Sequence, residues 1–352
     1  MSTDIPFIQY YSIINKCFEL EGCISSTTPY IYAGYNTSPG TVDQINPSTM
    51  TLVKTFTAPS GHSFIHSLMY DGKYIYAGYN TSPGTVDQIN PSTMTIVKTF
   101  NAPSGHGLTD SLTYDGTYVY AGSNHNPGYV DQIDPSTMTL VKSSNAIYGY
   151  ANVTSLTYDG TYIYAGYWAY TGGLNGSPGI VAQFNPSNMS KVSQYIAGPN
   201  QHIWALTYDG KYIYAGYRTS PGVIDQINPS NMSFVKSFTA PTGHNNLYAL
   251  TYDGTYIYAG YYTNPGMVDQ IDPSTMTLVK TFTAPSGHYY LWALMYDGKY
   301  IYAGYAINPG VIDQINPSTM TIVKTFNAPS GHNAVLALTL NVIKGNNYAV
   351  FK

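Results

Sequence analysis

Pro29–His62 reads PYIYAGYNTSPGTVDQINPSTMTLVKTFTAPSGH, and Tyr74–His106 returns it almost letter for letter. The core word, Tyr-x-Tyr-Ala-Gly, recurs with its second tyrosine at Tyr32, Tyr76, Tyr120, Tyr164, Tyr214, Tyr258 and Tyr302, at intervals of 44, 44, 44, 50, 44 and 44 residues. A fixed period of this size marks a solenoid, a propeller or another array whose units bury their apolar faces against one another.

Ser67–His106 shows the content of one unit. The apolar run Ser67–Tyr70 ends in Asp71-Gly72, a pair that signals a type I′ hairpin turn with positive φ at both central residues. Lys73–Tyr79 is rich in Tyr and Ile, as strands are. Ser82-Pro83-Gly84 reads as a turn in which Pro presets φ and Gly accepts a positive φ. Thr85–Ile89 is a third strand, Asn90-Pro91-Ser92 a further turn, and Thr95–Phe100 a fourth strand. No 3.6-residue periodicity occurs, so each unit is expected to be four short antiparallel strands, A to D from the axis outward. Three positions before the hairpin stands Leu68, Leu112, Leu156, Leu206, Leu250, Leu294 or Leu338, and beside it only Ser or Ala. Small residues on the innermost strand suit blades converging on an axis.

The run Asp-Gly-[Lys/Thr]-Tyr-[Ile/Val]-Tyr-Ala-Gly, followed by Val-Asp-Gln-Ile-[Asn/Asp]-Pro and a Val-Lys-Thr-Phe strand, resembles the YVTN-type β-propeller repeat. The resemblance covers about Tyr30 to Leu340. It implies an all-β propeller of four-stranded blades. Propellers of that kind are common in surface-layer and secreted proteins, and the family also contains enzymes.

One repeating theme implies one domain over residues 1–352, with repeats from 30 to 345 and the ring closed by 1–29 and 335–352. The residues outside the seven evident units come close to one more unit. Val335–Leu340 matches an A strand, Tyr348–Phe351 the Tyr-Ala of a B strand, and Phe7–Cys23 is apolar enough for further strands. This reading favours eight blades, the last split between the termini; the alternative is seven with a terminal appendage.

Charged residues are 9% of the chain and the net charge is −4. There is no basic stripe for nucleic acid, no 18-residue apolar window for membrane insertion, and no secretory leader. Cys17 and Cys23 leave open a disulfide or two free thiols. Asn-x-Ser/Thr occurs at Asn36, Asn80, Asn152, Asn175, Asn188 and Asn231, where glycosylation competes with chance in so Asn-, Ser- and Thr-rich a chain. The 38 tyrosines and scarce carboxylates give a surface whose hydration does not depend on charge. Such a composition resembles surface and virion proteins of acidophilic archaea, and implies an extracellular or virion setting; the alternative is a cytoplasmic scaffold.

Of 16 aspartates, 14 follow the repeat in hairpin turns, in one C-strand slot, or before proline. Periodic placement indicates structural hydrogen bonding rather than acid–base chemistry. His62, His106, His202, His244, His288 and His332 also follow the repeat and are expected to bond within their own loops, so no metal site is expected. No phosphate-binding loop, nucleotide fingerprint, zinc spacing or nucleophile elbow occurs, and no cofactor is implied. His66 and Asp110 fill the same A-strand slot in consecutive units, either as a polar lining of the channel mouth or as an acid–base pair.

The departures from the repeat point to function. The fourth unit carries six extra residues between its B and C strands, within Trp168–Gly179, and Trp168 and Tyr170 there are expected to be exposed. Aromatics gather before the A strands of the second half of the ring: Tyr148, Tyr150, Trp204, Tyr248, Tyr289, Tyr290 and Trp292, with Asn245 and Asn246 between them. Trp204, Tyr248 and Trp292 have packing between blades as their competing role. Strand alternation puts the B–C and D–A loops on one face. The expectation is a non-enzymatic propeller that contacts a glycan or protein partner through this face, open to a place in a larger assembly. The alternative is a lyase- or hydrolase-type enzyme with its site in the channel.

Overall fold

The computed structural model describes residues 29–144, 150–169, 178–199 and 201–341. They form 28 strands, numbered β1 to β28 along the chain, and no helix occurs among the described residues. Seven four-stranded antiparallel sheets stand in a ring. Blade 1 has the order β28-β1-β2-β3: Val335–Leu340 innermost, then Ile31–Tyr35, Thr41–Asn46 and Thr51–Thr57. Blades 2 to 7 each run outward in chain order from an inner strand: β4 (Ile65–Tyr70), β8 (Leu108–Tyr114), β12 (Tyr150–Tyr158), β16 (Ile203–Tyr208), β20 (Leu247–Tyr252) and β24 (Leu291–Tyr296).

The count is seven, not the favoured eight. Val335–Leu340 is an A strand, as its sequence indicates, but it pairs with the first B strand, Ile31 opposite Leu340 and Ala33 opposite Leu338. The inner strand β28 touches both β4 and β24, so the circle is complete. Phe7–Cys23 and Tyr348–Phe351, assigned to an eighth blade, lie outside the described residues. Asn341 stands in for the hairpin aspartate at this joint: its Oδ1 accepts from the Tyr30 backbone N–H at 2.6 Å.

The Tyr-x-Tyr-Ala-Gly word explains the packing. Tyr76 is fully buried; its hydroxyl donates to Asp71 Oδ2 (2.7 Å) and accepts from Gln88 Nε2 (2.8 Å). Gln88 Nε2 also donates to the Pro135 carbonyl of the next blade at 2.8 Å. The same stitch runs from Gln44, Gln132, Gln183, Gln226 and Gln270, and Gln314 reaches Pro47 O at 3.0 Å to join blade 7 to blade 1. The glycine of the word seats the next inner strand: a Cβ on Gly260 would meet Leu291 Cδ2 at 2.3 Å, and one on Gly34 would meet Ile65 Cγ2 at 2.6 Å. Seven apolar clusters each join two neighbouring blades, so burial grows with every blade added.

Gln314→Ala strips half-buried Pro47 O and buried Tyr302 Oη of a donor, and is expected to cost about 1–3 kcal/mol. Lys98→Ala, which removes an exposed bond to Ser136 O, is expected to cost less than about 1 kcal/mol. Urea unfolding of both variants checks this, and equal midpoints would contradict it.

Two turns differ from their sequence reading. Gly72 has φ +102°, but Asp71 is not in the left-handed region. Asp71 Oδ1 instead accepts from the backbone N–H of Lys73 (2.7 Å) and Tyr74 (2.6 Å), which makes a four-residue loop. Ser82-Pro83 is a cis peptide, and Gly84 is not at positive φ; a Cβ there would lie 2.4 Å from Gly107 O. The left-handed position of the C–D turn is the buried methionine, for example Met50 at φ +54°.

Candidate functional site

Each inner strand opens with an irregularity. Pairing with the B strand jumps from Ile65 to Ser67, from Thr109 to Ser111, from Ile203 to Ala205, from Leu247 to Ala249 and from Leu291 to Ala293. The residue passed over is His66, Asp110, Trp204, Tyr248 or Trp292. A bulge leaves its extra residue outside the ladder and re-aims the side chain. So each blade releases at least one side chain from the ladder here, blade 4 passing over both Asn152 and Thr154, and the sequence varies at these positions.

In the second half of the ring the released side chains form one aromatic cluster. Trp204 lies 4.7 Å from Tyr248 and 6.1 Å from Trp292, ring centre to ring centre; Tyr248 lies 4.7 Å from Trp292. Trp204 and Trp292 belong to blades 5 and 7. Rings from non-adjacent blades meet only where blades converge, which places the cluster at the channel mouth. Tyr262 stacks on Tyr248 (4.7 Å) and Tyr290 (4.5 Å, planes 11° apart), and Tyr289 meets Tyr290 edge-on. Tyr290 is 37% exposed and offers its outer face to solvent.

Trp168 is not in the inserted loop. It lies near the end of β13 (Ile163–Ala169), opposite Ala151, half-buried, 5.6 Å from Trp204 and 5.2 Å from His202. Tyr148 and Tyr170 lie outside the described residues. Tyr150 begins β12 and packs into the core between blades 3 and 4, apart from the cluster. Trp204 and Trp292 are half-buried within the cluster and Tyr248 is buried, so packing and a shared ring surface coincide.

The residue missed from sequence is Arg218, the single arginine of the chain. It follows the B strand in the slot held by Asn36, Asn80, Asn124, Trp168, Tyr262 and Ala306 in other blades; that variation was its available signal. Its guanidinium carbon lies 5.4 Å from the ring centres of Trp204 and Tyr248 and 5.8 Å from Trp168. Among the described residues it forms no ion pair; the salt bridges there all involve histidine. Burial, and Arg218 after it, hold the His202 imidazole below its ordinary value.

The repeat histidines bond across blades rather than within their own loops. His62 Nδ1 lies 2.8 Å from Asp87, and His106, His244, His288 and His332 meet Asp131, Asp269, Asp313 and Asp43 in the same way. These carboxylates are buried in the next blade's C strand and also accept from a D-strand hydroxyl, as Asp87 does from Thr99. His202 is the exception. Tyr195 and Tyr217 donate to Asp225 instead, each at 2.8 Å, which leaves His202 against Trp168.

Opposite the aromatics, His66 Nδ1 bonds Asp110 Oδ1 (2.9 Å), Asn124 Nδ2 donates to Asp110 Oδ2 (2.7 Å), and Asn80 Nδ2 lies 3.2 Å from His66 Nε2. With a carboxylate on Nδ1, that nitrogen carries the proton and the basic lone pair on Nε2 is taken by Asn80. His66, Asp110, Asn80 and Asn124 thus form one connected polar group. Among the described residues no three His, Cys, Asp or Glu side chains gather to hold a metal.

No protein-family model matches the chain, and no curated protein matches it. Solved structures do. A computationally designed protein, Ika8, is similar at TM-score 0.63 and 15% identity, with 94% of this chain and 93% of that one covered. A Bacteroides fragilis protein carrying the provisional name 6-phosphogluconolactonase is similar at TM-score 0.68 and 16% identity, with 90% and 99% covered. A Bacteroides uniformis protein of the same provisional name gives 0.67 and 15%, with 89% and 98% covered. At these identities the likeness is one of fold.

Proposed function

We propose that the chain is a non-enzymatic binding propeller that holds a glycan at the mouth framed by its B–C and D–A loops, in the setting of a cell or virion surface. The observation that carries this reading is the meeting of all three tryptophans and the only arginine in one partly open ring cluster. Outside the fourth unit and the His66–Asp110 slot the repeat is copied closely. Aromatic faces stack on sugar rings and give large contact area at little entropic cost. Asn245 and Asn246 border the cluster, and Ser220 Oγ donates to Asn245 Oδ1 at 2.8 Å.

The enzyme reading has one observation behind it, the His66–Asp110 pair, and the provisional lactonase names of two fold neighbours lend it a little weight. Its base is capped by Asn80, which is why binding is preferred.

All three tryptophans lie in the cluster, so tryptophan emission reports on the mouth itself. A glycan-array screen followed by emission titration is expected to yield a ligand that perturbs the spectrum. Trp204→Ala should weaken it roughly tenfold or more, as truncating an aromatic anchor does, while Thr49→Ala with Thr93→Ala on the opposite face should not. A binder indifferent to Trp204→Ala would sink the reading.

A further inference from the structure

We propose that the sugar bound at this mouth carries a carboxylate, held by Arg218 while its ring stacks on the neighbouring aromatics; this rests on reading the mouth as a glycan site. Of the ten lysines of the described residues, Lys73, Lys211 and Lys299 cover their neighbouring tyrosines in the A–B hairpins, Lys54, Lys98, Lys142, Lys236, Lys280 and Lys324 bond carbonyls of the C–D turns, and Lys191, which begins β15 (Lys191–Ile196), donates to Gln194 Oε1. Among the described residues Arg218 is thus the cation of the aromatic cluster on the loop face.

Arg218 is exposed, and three ring faces hold its guanidinium without meeting its charge with a carboxylate. A guanidinium resting on π faces keeps its N–H edge directed outward, and that planar fork matches a carboxylate in two parallel bonds. One arginine balances one negative charge, which suits a monoanionic carboxylate better than a phosphate dianion. The acid of the mouth, Asp110, is in the opposite half and already engaged by His66 and Asn124. A ring anchored at Arg218 lies beside the rings of Trp204 and Tyr248.

The probe is tetragalacturonate, compared with its methyl ester, which keeps the shape and removes the charge. Titrations at low salt, followed by tryptophan emission and calorimetry, are expected to show the acid binding wild-type protein at least tenfold tighter than the ester. Arg218→Gln should bring the acid down to the ester's affinity, and Arg218→Lys, which keeps the charge but not the fork, should fall between. Circular dichroism confirms that each variant is folded. Equal binding of acid and ester, a preference that survives Arg218→Gln, or binding of neither form overturns the inference. The wider glycan reading falls only if the array ligand also ignores Trp204→Ala.

Discussion

Raising the pH from 10 to 12 is expected to unfold the ring in one steep step. The second tyrosine of each word (Tyr32, Tyr76, Tyr120, Tyr164, Tyr214, Tyr258, Tyr302) and six that follow it (Tyr35, Tyr79, Tyr167, Tyr217, Tyr261, Tyr305) are fully buried. Burial is the first cause that raises all of these phenols above their ordinary value of 10, and Tyr32 is pushed up to about 12. Aspartates such as Asp71 beside Tyr76 add to the rise. A phenol raised in the fold gives its full stabilisation below the unfolded value, and loses it as pH climbs through the folded one. Each group that ionises only in the unfolded chain removes about 1.4 kcal/mol per pH unit. Half of these tyrosines would remove about 9 kcal/mol in one unit, comparable with the whole stability of an ordinary domain. Phenolate absorbance and far-ultraviolet dichroism should therefore change together, over less than one pH unit. A smooth titration of all 38 tyrosines near pH 10 with unchanged dichroism would refute the argument.

The second large effect concerns closure. Leu338 is fully buried in β28, opposite Ala33, and belongs to the cluster that joins blade 7 to blade 1. Leu338→Asp puts an unpaired charge there, which costs several kcal/mol. A fall in Tm of more than about 10 °C, or loss of a cooperative transition, is expected. Leu52→Asp, on the exposed outer strand of the same blade, should shift Tm by less than about 2 °C. If Leu338→Asp melts like wild type, β28 is not the strand that closes the ring.

The fold was legible because the repeat states it seven times. Tyr-x-Tyr-Ala-Gly, the Asp-Gly hairpin and the Asn/Asp-Pro turn fix strand length and order within each unit, and local chemistry suffices for that. The aromatic cluster was partly legible, since Trp204, Tyr248 and Trp292 break the repeat visibly. Arg218 was not, because its slot follows a B strand, fourteen residues from Trp204, and nothing local says that the two slots meet.

By itself the sequence determined an all-β propeller of four-stranded blades and pointed to a decorated loop face; it read the tyrosines as surface hydroxyls, whereas the packing of blade on blade buries those of the repeated word, Tyr32 and Tyr76 among them. The tertiary structure decided three things. It set the number of blades, because whether Val335–Leu340 begins an eighth sheet or completes the first depends on which edge the ring presents when it closes. It set the partner of each histidine, because the carboxylate that His62 reaches is 25 residues away and belongs to the next blade. It also set the composition of the mouth: bulges at the start of the inner strands and convergence at the axis bring Trp168, Trp204, Arg218, Tyr248 and Trp292 together from blades 4 to 7. Spacing along the chain records neither event, because both arise from how blades pack around a common centre.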